Sequence, residues 1–376
     1  MILSERINTF GQDLLRRHGE RVHKIALDAG FTCPNRDGSK GRGGCSFCNN
    51  VFFSPDADAR LDLAAQIAKA RLAISRRTRA RKYIAYFQAY TNTYAKVEEL
   101  EALYREALKE PGMVGLSVGT RPDCVSSDVL DLLDRFRDQG LEVWLELGLQ
   151  SAFDKTLERV NRGHTFAEYQ KTALAARQRG IPLCTHLIVG LPGESEAHCH
   201  ATLDSVLQIG TDGLKLHPLH VVKHTLLAHQ WRKGEYAPLT REEYIGIAAN
   251  LIERTPENIV YHRVTATAAR DVLLAPVWCA EKWNVLNALE TELRQRDTRQ
   301  GCHAGTHFYN GHGDCATPDD ETRHARFPHL NPDEATSHST KASKNDVQVA
   351  GYLPEGEETN ERLRVFHVNE ELRHVA

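Results

Sequence analysis

The stretch Cys33-Pro-Asn-Arg-Asp-Gly-Ser-Lys-Gly-Arg-Gly-Gly-Cys45-Ser-Phe-Cys48 places three cysteines in one glycine-rich loop, spaced C-x11-C-x2-C. A closed thiolate site takes four ligands, whether it holds zinc or iron–sulfur. Three cysteines with no fourth at ligand distance suggest a cluster with one iron left open for chemistry. Gly38, Gly41, Gly43 and Gly44 let the backbone wrap a bulky inorganic core, and loop N–H groups can donate to cluster sulfides. The competing reading is a zinc ribbon. It would need a fourth ligand such as His23 or a remote cysteine, and ribbons pair two C-x2-C knuckles where this chain has one. Phe47 is placed either to stack on a flat group or to pack beneath the loop.

Outward from this loop, short β-branched or aromatic runs recur every thirty to forty residues: His23–Ala29, Tyr83–Ala89, Val114–Gly119, Val143–Leu149, Leu183–Val189 and Gly213–His217. Between them, Val97–Lys109, Ser127–Arg137, Thr165–Arg179 and Glu196–Ile209 carry apolar residues at helical spacing. Strands alternating with helices predict an α/β fold with a parallel sheet and right-handed crossovers. The spacing fits a partial (β/α) barrel of six units. A Rossmann sheet is the alternative, but no G-x-G-x-x-G follows a strand and no Walker loop is present. Thr240–Glu253 and Trp278–Arg294 read as further helices, and His224–Tyr236 as a loop or short helix. The expected organisation is a core over 1–260, a helical extension over 261–300, and a polar, disordered tail over 301–376 that includes Cys302, His303, His307, His312 and Cys315.

Composition narrows the function class. With 376 residues, 41% of them hydrophobic, the chain can bury a large core, and its net charge of −3 carries no global basic field for nucleic acid. A local run, Arg76, Arg77, Arg79, Arg81 and Lys82, is either a solvated helix end or a phosphate-contacting patch. Nine cysteines, an odd number, without a signal-peptide-like run predict a reducing, cytoplasmic setting in which the clustered trio binds metal. No apolar stretch of about 18 residues predicts a membrane span.

In a parallel (β/α) architecture the working residues emerge at the C-terminal strand ends. The first expected strand runs into the cysteine loop. The others end in Gln88-Ala-Tyr90, Gly119-Thr-Arg121, Gly148-Leu-Gln150-Ser151, Gly190-Leu-Pro-Gly193 and Lys215-Leu-His217-Pro-Leu-His220. Six polar or Gly/Pro-rich ends on one rim predict an active-site mouth. Arg162 and His164 are read as a helix-terminus ion pair or as groups reaching a carboxylate, and Cys124 as a small buried residue or a hydrogen donor.

These residues resemble the radical S-adenosylmethionine (radical SAM) superfamily. The set Leu145–Ser151, Asn161–Thr165, Gly190–Glu194 and Lys215–Pro218 is similar to the radical-SAM subunit of Elongator, and more so to the bacterial YhcC/YtqA-like proteins, whose pattern extends through Asp271–Asn284. The resemblance covers residues 1–300. It implies a partial (β/α)6 barrel in which Cys33, Cys45 and Cys48 ligate a [4Fe–4S] cluster and the open iron chelates S-adenosylmethionine. It further implies Phe47 near the adenine, Gln88 and Tyr90 near the methionine amino group, Glu146, Gln150 and Ser151 facing ribose and methionine, and Leu187–Gly190 offering backbone to the adenine. The usual Gly-Gly-Glu is absent at the second strand. The activity so implied is cleavage of the cofactor to a 5′-deoxyadenosyl radical, fed by a reductase or a flavodoxin/ferredoxin-type donor. The implied substrate is unassigned: tRNA modification is one reading, a small metabolite or peptide another. A non-catalytic cluster protein is the contrasting class. The stretch after residue 270 is too short and polar to be expected to supply an acetyltransferase domain like that of the Elongator subunit.

Overall fold

The computed structural model describes residues 3–49 and 60–305, all within one compact unit spanning 1–309. Of the expected tail, 301–305 are described, and His307, His312, Cys315 and the rest of 306–376 lie outside the described residues. The strands are β1 (Val22–Leu27), β2 (Lys82–Phe87), β3 (Met113–Thr120), β4 (Glu142–Gln150), β5 (Leu183–Val189), β6 (Gly213–Pro218), β7 (Val221–Val222), β8 (Val260–Arg263) and β9 (Leu273–Ala275). The helices are α1 (Phe10–His18), α2 (Leu63–Thr78), α3 (Val97–Leu108), α4 (Ser127–Asp138), α5 (Asp154–Arg159), α6 (Phe166–Gln178), α7 (Glu196–Ile209), α8 (Leu226–Arg232), α9 (Arg241–Arg254) and α10 (Lys282–Gln295). No described helix is long and apolar enough to cross a membrane.

Seven strands form one parallel sheet in the order β1-β2-β3-β4-β5-β6-β8. The six-unit expectation thus gains a seventh strand, β8. The sheet curls into a half-barrel: Lys24 of β1 reaches across to His262 of β8, Nζ to Nδ1 3.0 Å. Its convex face is apolar and covered by helices. Leu27, Phe87, Leu116 and Leu145 pack there with Leu100 and Tyr104 of α3, Leu133 and Phe136 of α4, Ala173 of α6 and Leu203 of α7. Val285, Leu289 and Leu293 of α10 join this same core, so the 261–300 segment is continuous with the barrel's packing.

The concave face is stratified by the two-residue strand period. At the bottom, Val22, Ile84, Trp144, Cys184 and Val260 close on Phe10 and Leu14 of α1, with the Phe10 ring edge-on to Trp144 at 5.5 Å. Two residues higher on the same strands the side chains are Lys24, Tyr86, Glu146, His186 and His262. Above them the sheet opens into a cavity. At its mouth, β7 and β9 pair antiparallel, and a small cluster of Val160, Leu191, Leu219, Val221 and Leu227 supports Phe47.

Candidate active site

The cysteine loop is anchored from both sides. Ser46 N–H donates to the Val160 carbonyl at 2.9 Å and Ser46 C=O accepts from Leu227 N–H at 2.8 Å. Gly43 and Gly44 take φ of +80° and +78°, left-handed values that favour glycine. The turn they make brings Cys33, Cys45 and Cys48 onto one cavity of about 230 Å³, together with Phe47, Gln88, Tyr90 and Gln150. Tyr90 and Gln150 are non-glycine residues at φ of +61° and +80°. Strained backbone of this kind gathers at functional sites, and here both residues sit on the cavity wall.

All three loop cysteines are free. Among the described residues, the one trio of His, Cys, Asp or Glu ligand atoms lying within 4.8 Å of one another is Glu146, Cys184 and His186, so the loop sulfurs are spread more widely than that. Zinc–sulfur bonds of about 2.3 Å put the ligands of one ion about 3.8 Å apart on a tetrahedral edge. At least one pair of loop sulfurs is therefore farther apart than the ligands of a single zinc ion, and the spread leaves room for a larger group. His23, the zinc alternative, lies at the start of β1, a strand's length from the loop. The Glu146 trio does not suit a cation either, because two lysine ammoniums already occupy its carboxylate.

Cations back the thiols. Arg36 donates to the Cys48 carbonyl at 2.5 Å and opposes the burial that pushes the Cys48 thiol up to about 11. Arg162 Nη1 lies 3.7 Å from Cys45 Sγ, while its Nη2 donates to the Gly148 carbonyl at 2.7 Å. Arg121 forks onto Asp123 with both contacts at 3.0 Å and donates to the Arg162 carbonyl at 2.8 Å. Among the described residues Arg162 is thus held by a thiol and a carbonyl, and the ion pair that was one of its two readings is not formed. His164 sits 3.2 Å from the same Gly148 carbonyl, its pKa lowered to about 3 by burial and then by Arg162 and Arg121.

Three residues expected at the cofactor do not line this cavity. Glu146 is wholly buried beneath the cavity floor, not on it. Its oxygens hold Lys24 and Lys215, Ser117 Oγ at 2.5 Å and His186 Nε2 at 2.7 Å. Lys215 donates onward to the Tyr86 hydroxyl at 2.8 Å. Ser151 is buried outside the cavity and donates to Glu194. Gly190, at φ +93°, packs where a Cβ would meet Leu239 at 3.1 Å, and its carbonyl accepts from Tyr236. The basic run is also displaced from the mouth. Arg79, Arg81 and Lys82 precede or begin β2, at the opposite end of a strand about 20 Å long, and Lys82 pairs with Glu20 at 3.0 Å. What the sequence reading missed is the floor itself: Lys24, His186 and His262, with Arg263 beside Lys215 in strand register. The signal available was a charged or histidine residue interrupting otherwise apolar strands.

A cysteine-bearing loop over the C-terminal mouth of a curled parallel sheet defines a class of cluster-dependent barrel proteins, and comparison with known proteins agrees. The Radical SAM superfamily model matches residues 35–206 and the Radical_SAM C-terminal domain model matches residues 211–295. The chain is 50% identical over 295 residues to Protein YhcC of Escherichia coli (strain K12), covering 78% of this chain and 94% of that protein. It is 36% identical over 298 residues to protein YtqA of Bacillus subtilis (strain 168), covering 79% and 92%. The chain belongs to the radical SAM superfamily. It is more distantly similar to Elongator complex protein 3 of Schizosaccharomyces pombe, 29% identical over 166 residues, covering 43% of this chain and 30% of that protein. Among solved structures, the archaeal Methanocaldococcus infernus Elp3 shares the fold with a TM-score of 0.56 at 20% identity, over 75% of this chain and 65% of that one.

Proposed function

We propose that this radical SAM enzyme holds a [4Fe–4S] cluster on Cys33, Cys45 and Cys48 and binds S-adenosylmethionine in the adjoining cavity. The observation that carries the reading is the placement of three spread, free thiols from one loop on the wall of a cavity at the C-terminal strand ends. When bound and reduced, the cluster would supply the electron that cleaves S-adenosylmethionine to methionine and a 5′-deoxyadenosyl radical, which takes hydrogen from a substrate. The chain's own residues would do the rest. Arg36 and Arg162 offset thiolate charge. Gln88, Tyr90 and Gln150 present polar groups that orient the cofactor. Ile188 and Leu219 keep water from the wall. The exposed arm of the loop, Asp37–Lys40 with Arg42 and Gly43, is the side a flavodoxin/ferredoxin-type donor or reductase would reach.

Anaerobic reconstitution followed by iron and sulfide analysis and mass spectrometry of 5′-deoxyadenosine tests this. The parent should cleave the cofactor under reduction. Cys33→Ala, Cys45→Ala and Cys48→Ala should each abolish cleavage, and Cys302→Ala, an exposed cysteine away from the cavity, should not. A correctly loaded cluster that binds S-adenosylmethionine and never yields 5′-deoxyadenosine would overturn the enzyme reading. As a substrate, tRNA is supported by 30% identity over 155 residues to the tRNA uridine(34) acetyltransferase of Dehalococcoides mccartyi. Phosphate contacts would make tRNA affinity fall steeply with salt; absent or salt-insensitive binding excludes that substrate.

A further inference from the structure

The described residues lining the cavity include five cations, Arg36, Arg121, Arg162, Lys215 and Arg263, and no carboxylate. Three of the five are accounted for at the cysteine end by Cys48, Asp123, Cys45 and backbone carbonyls. The other two, strand neighbours on β6 and β8, are not. Lys215 shares the single Glu146 carboxylate with Lys24, one negative charge between two ammoniums. Arg263 has neither an acid nor a hydrogen-bond acceptor among the described residues. Beside them His217 lies 5.9 Å from His186, ring centre to ring centre, and its buried Nε2 has no partner among the described residues. Burial keeps His217 and His186 neutral, so they can donate an N–H without bringing a counter-charge.

We propose that the β6–β8 end of the cavity is an anion subsite, in which Arg263, Lys215 and the Nε2 of His217 hold the carboxylate or phosphate group of the substrate. The inference rests on reading the cavity as the site where cofactor and substrate meet. A guanidinium on the cavity wall without a counter-ion is free to take one, and its planar fork matches a carboxylate or phosphate with two N–H donors. S-adenosylmethionine held by an open iron through its amino and carboxylate groups, as the resemblance implies, would keep its carboxylate at the cysteine end and leave the β8 end to the anion of the other reactant. A metal is disfavoured here, because the surrounding charge is positive and no lining carboxylate is described.

The test uses the full chain with inorganic phosphate and acetate as probes, at constant ionic strength with chloride as balance. Binding is read by calorimetry and by the rise in the thermal midpoint that ligation of the folded state produces. The parent should bind one or both probes. Arg263→Gln should weaken binding about tenfold or more, loss of a charge-assisted bidentate contact being of that order. Arg263→Lys, which keeps charge and loses the fork, should fall between, and it carries the test if Arg263→Gln fails to fold. Arg270→Gln, an exposed arginine outside the lining, should match the parent. Phosphate preference assigns a phosphorylated substrate and acetate preference a carboxylated one. Binding of neither probe, equal binding by the parent and Arg263→Gln, or equal weakening in Arg270→Gln overturns the subsite. Cofactor cleavage is measured on the same preparations. Cleavage without anion binding refutes the subsite alone, whereas a failure to load or cleave refutes the enzyme reading and leaves the anion titration standing.

Discussion

Replacing Glu146 by Gln tests the charged floor on which this cavity rests. Glu146 is 0% exposed, and its lysine partners are nearly as buried, with side-chain exposures of 15% for Lys24 and 4% for Lys215. Gln keeps the size and one acceptor, enough for Ser117 Oγ, but leaves two ammoniums in a low-dielectric layer without a counter-charge. Breaking one partner out of a buried pair costs about 3–5 kcal/mol, and the shared carboxylate argues for the middle of that range, about 4 kcal/mol. Urea unfolding at pH 7, followed by the fluorescence of Trp144 in the layer below, measures the loss. Glu101→Gln is the reference. Its pairs with Arg105 and Arg135 are on the surface and are screened by solvent, so the loss should be small. Adding Lys215→Met to Glu146→Gln removes one stranded ammonium, so the double variant should recover about 2 kcal/mol relative to additivity. The acid limb has a definite sign. The two lysines hold the folded Glu146 carboxyl well below its ordinary value against the opposing effect of burial. The stabilisation is therefore complete above about pH 4.5 and disappears as pH falls through the folded value. A Glu146→Gln loss no larger than that of Glu101→Gln, or a coupling to Lys215 near zero, would refute the argument.

Other consequences are as direct. Burial lowers the Lys215 ammonium to about 8 from 10.5, so the unfolded chain binds the extra proton between these values. Stability of the parent relative to Lys215→Met should then rise from pH 8 to 10.5, and a flat difference in urea midpoints across that window would sink the prediction. Gly115 has no unusual φ, yet a Cβ there would sit 1.9 Å from the Glu142 carbonyl oxygen of the neighbouring strand. Gly115→Ala should cost more than about 4 kcal/mol, seen as lost soluble yield and far-UV signal; a parent-like midpoint would refute the β3–β4 register. In the loop, a Cβ on Gly44 would lie 2.8 Å from Arg36 Nε. Gly44→Ala should displace Arg36 from Cys48 and reduce reconstituted iron and sulfide by more than half without unfolding the chain, whereas full metal content would show that the loop tolerates the side chain.

What could be read from the sequence was what local period and turn chemistry determine. The expected strands fall within a few residues of β1 to β6, and the helix expected over Glu196–Ile209 matches α7. Helix α1 and the four-residue β8 were missed because neither carries a sustained run; Val-Tyr-His-Arg offers two apolar residues and then two polar ones. The register was not legible at all, and it decides the site. Parallel strands covered on both faces should read as continuous apolar runs, so Lys24, Glu146, His186 and Lys215 were visible as interruptions. Only the pairings His186↔Lys215 and Lys215↔Arg263, with the side-chain bonds from Lys24, His186 and Lys215 to Glu146, bring them together. The depth of Glu146 was hidden by the same omission. It lies four residues before the end of β4 at Gln150, about 13 Å below the rim at a strand's rise per residue, too deep for a group at the mouth. Polar residues in these strands therefore fall into two sets by depth. Those within about two residues of a C-terminal end, such as Gln88, Gln150 and His217, face the cavity. Those deeper down satisfy one another. Lys215 and His186 belong to both sets, bound to Glu146 below and lining the cavity above, and Lys215 passes the floor's excess positive charge to the chamber beside Arg263.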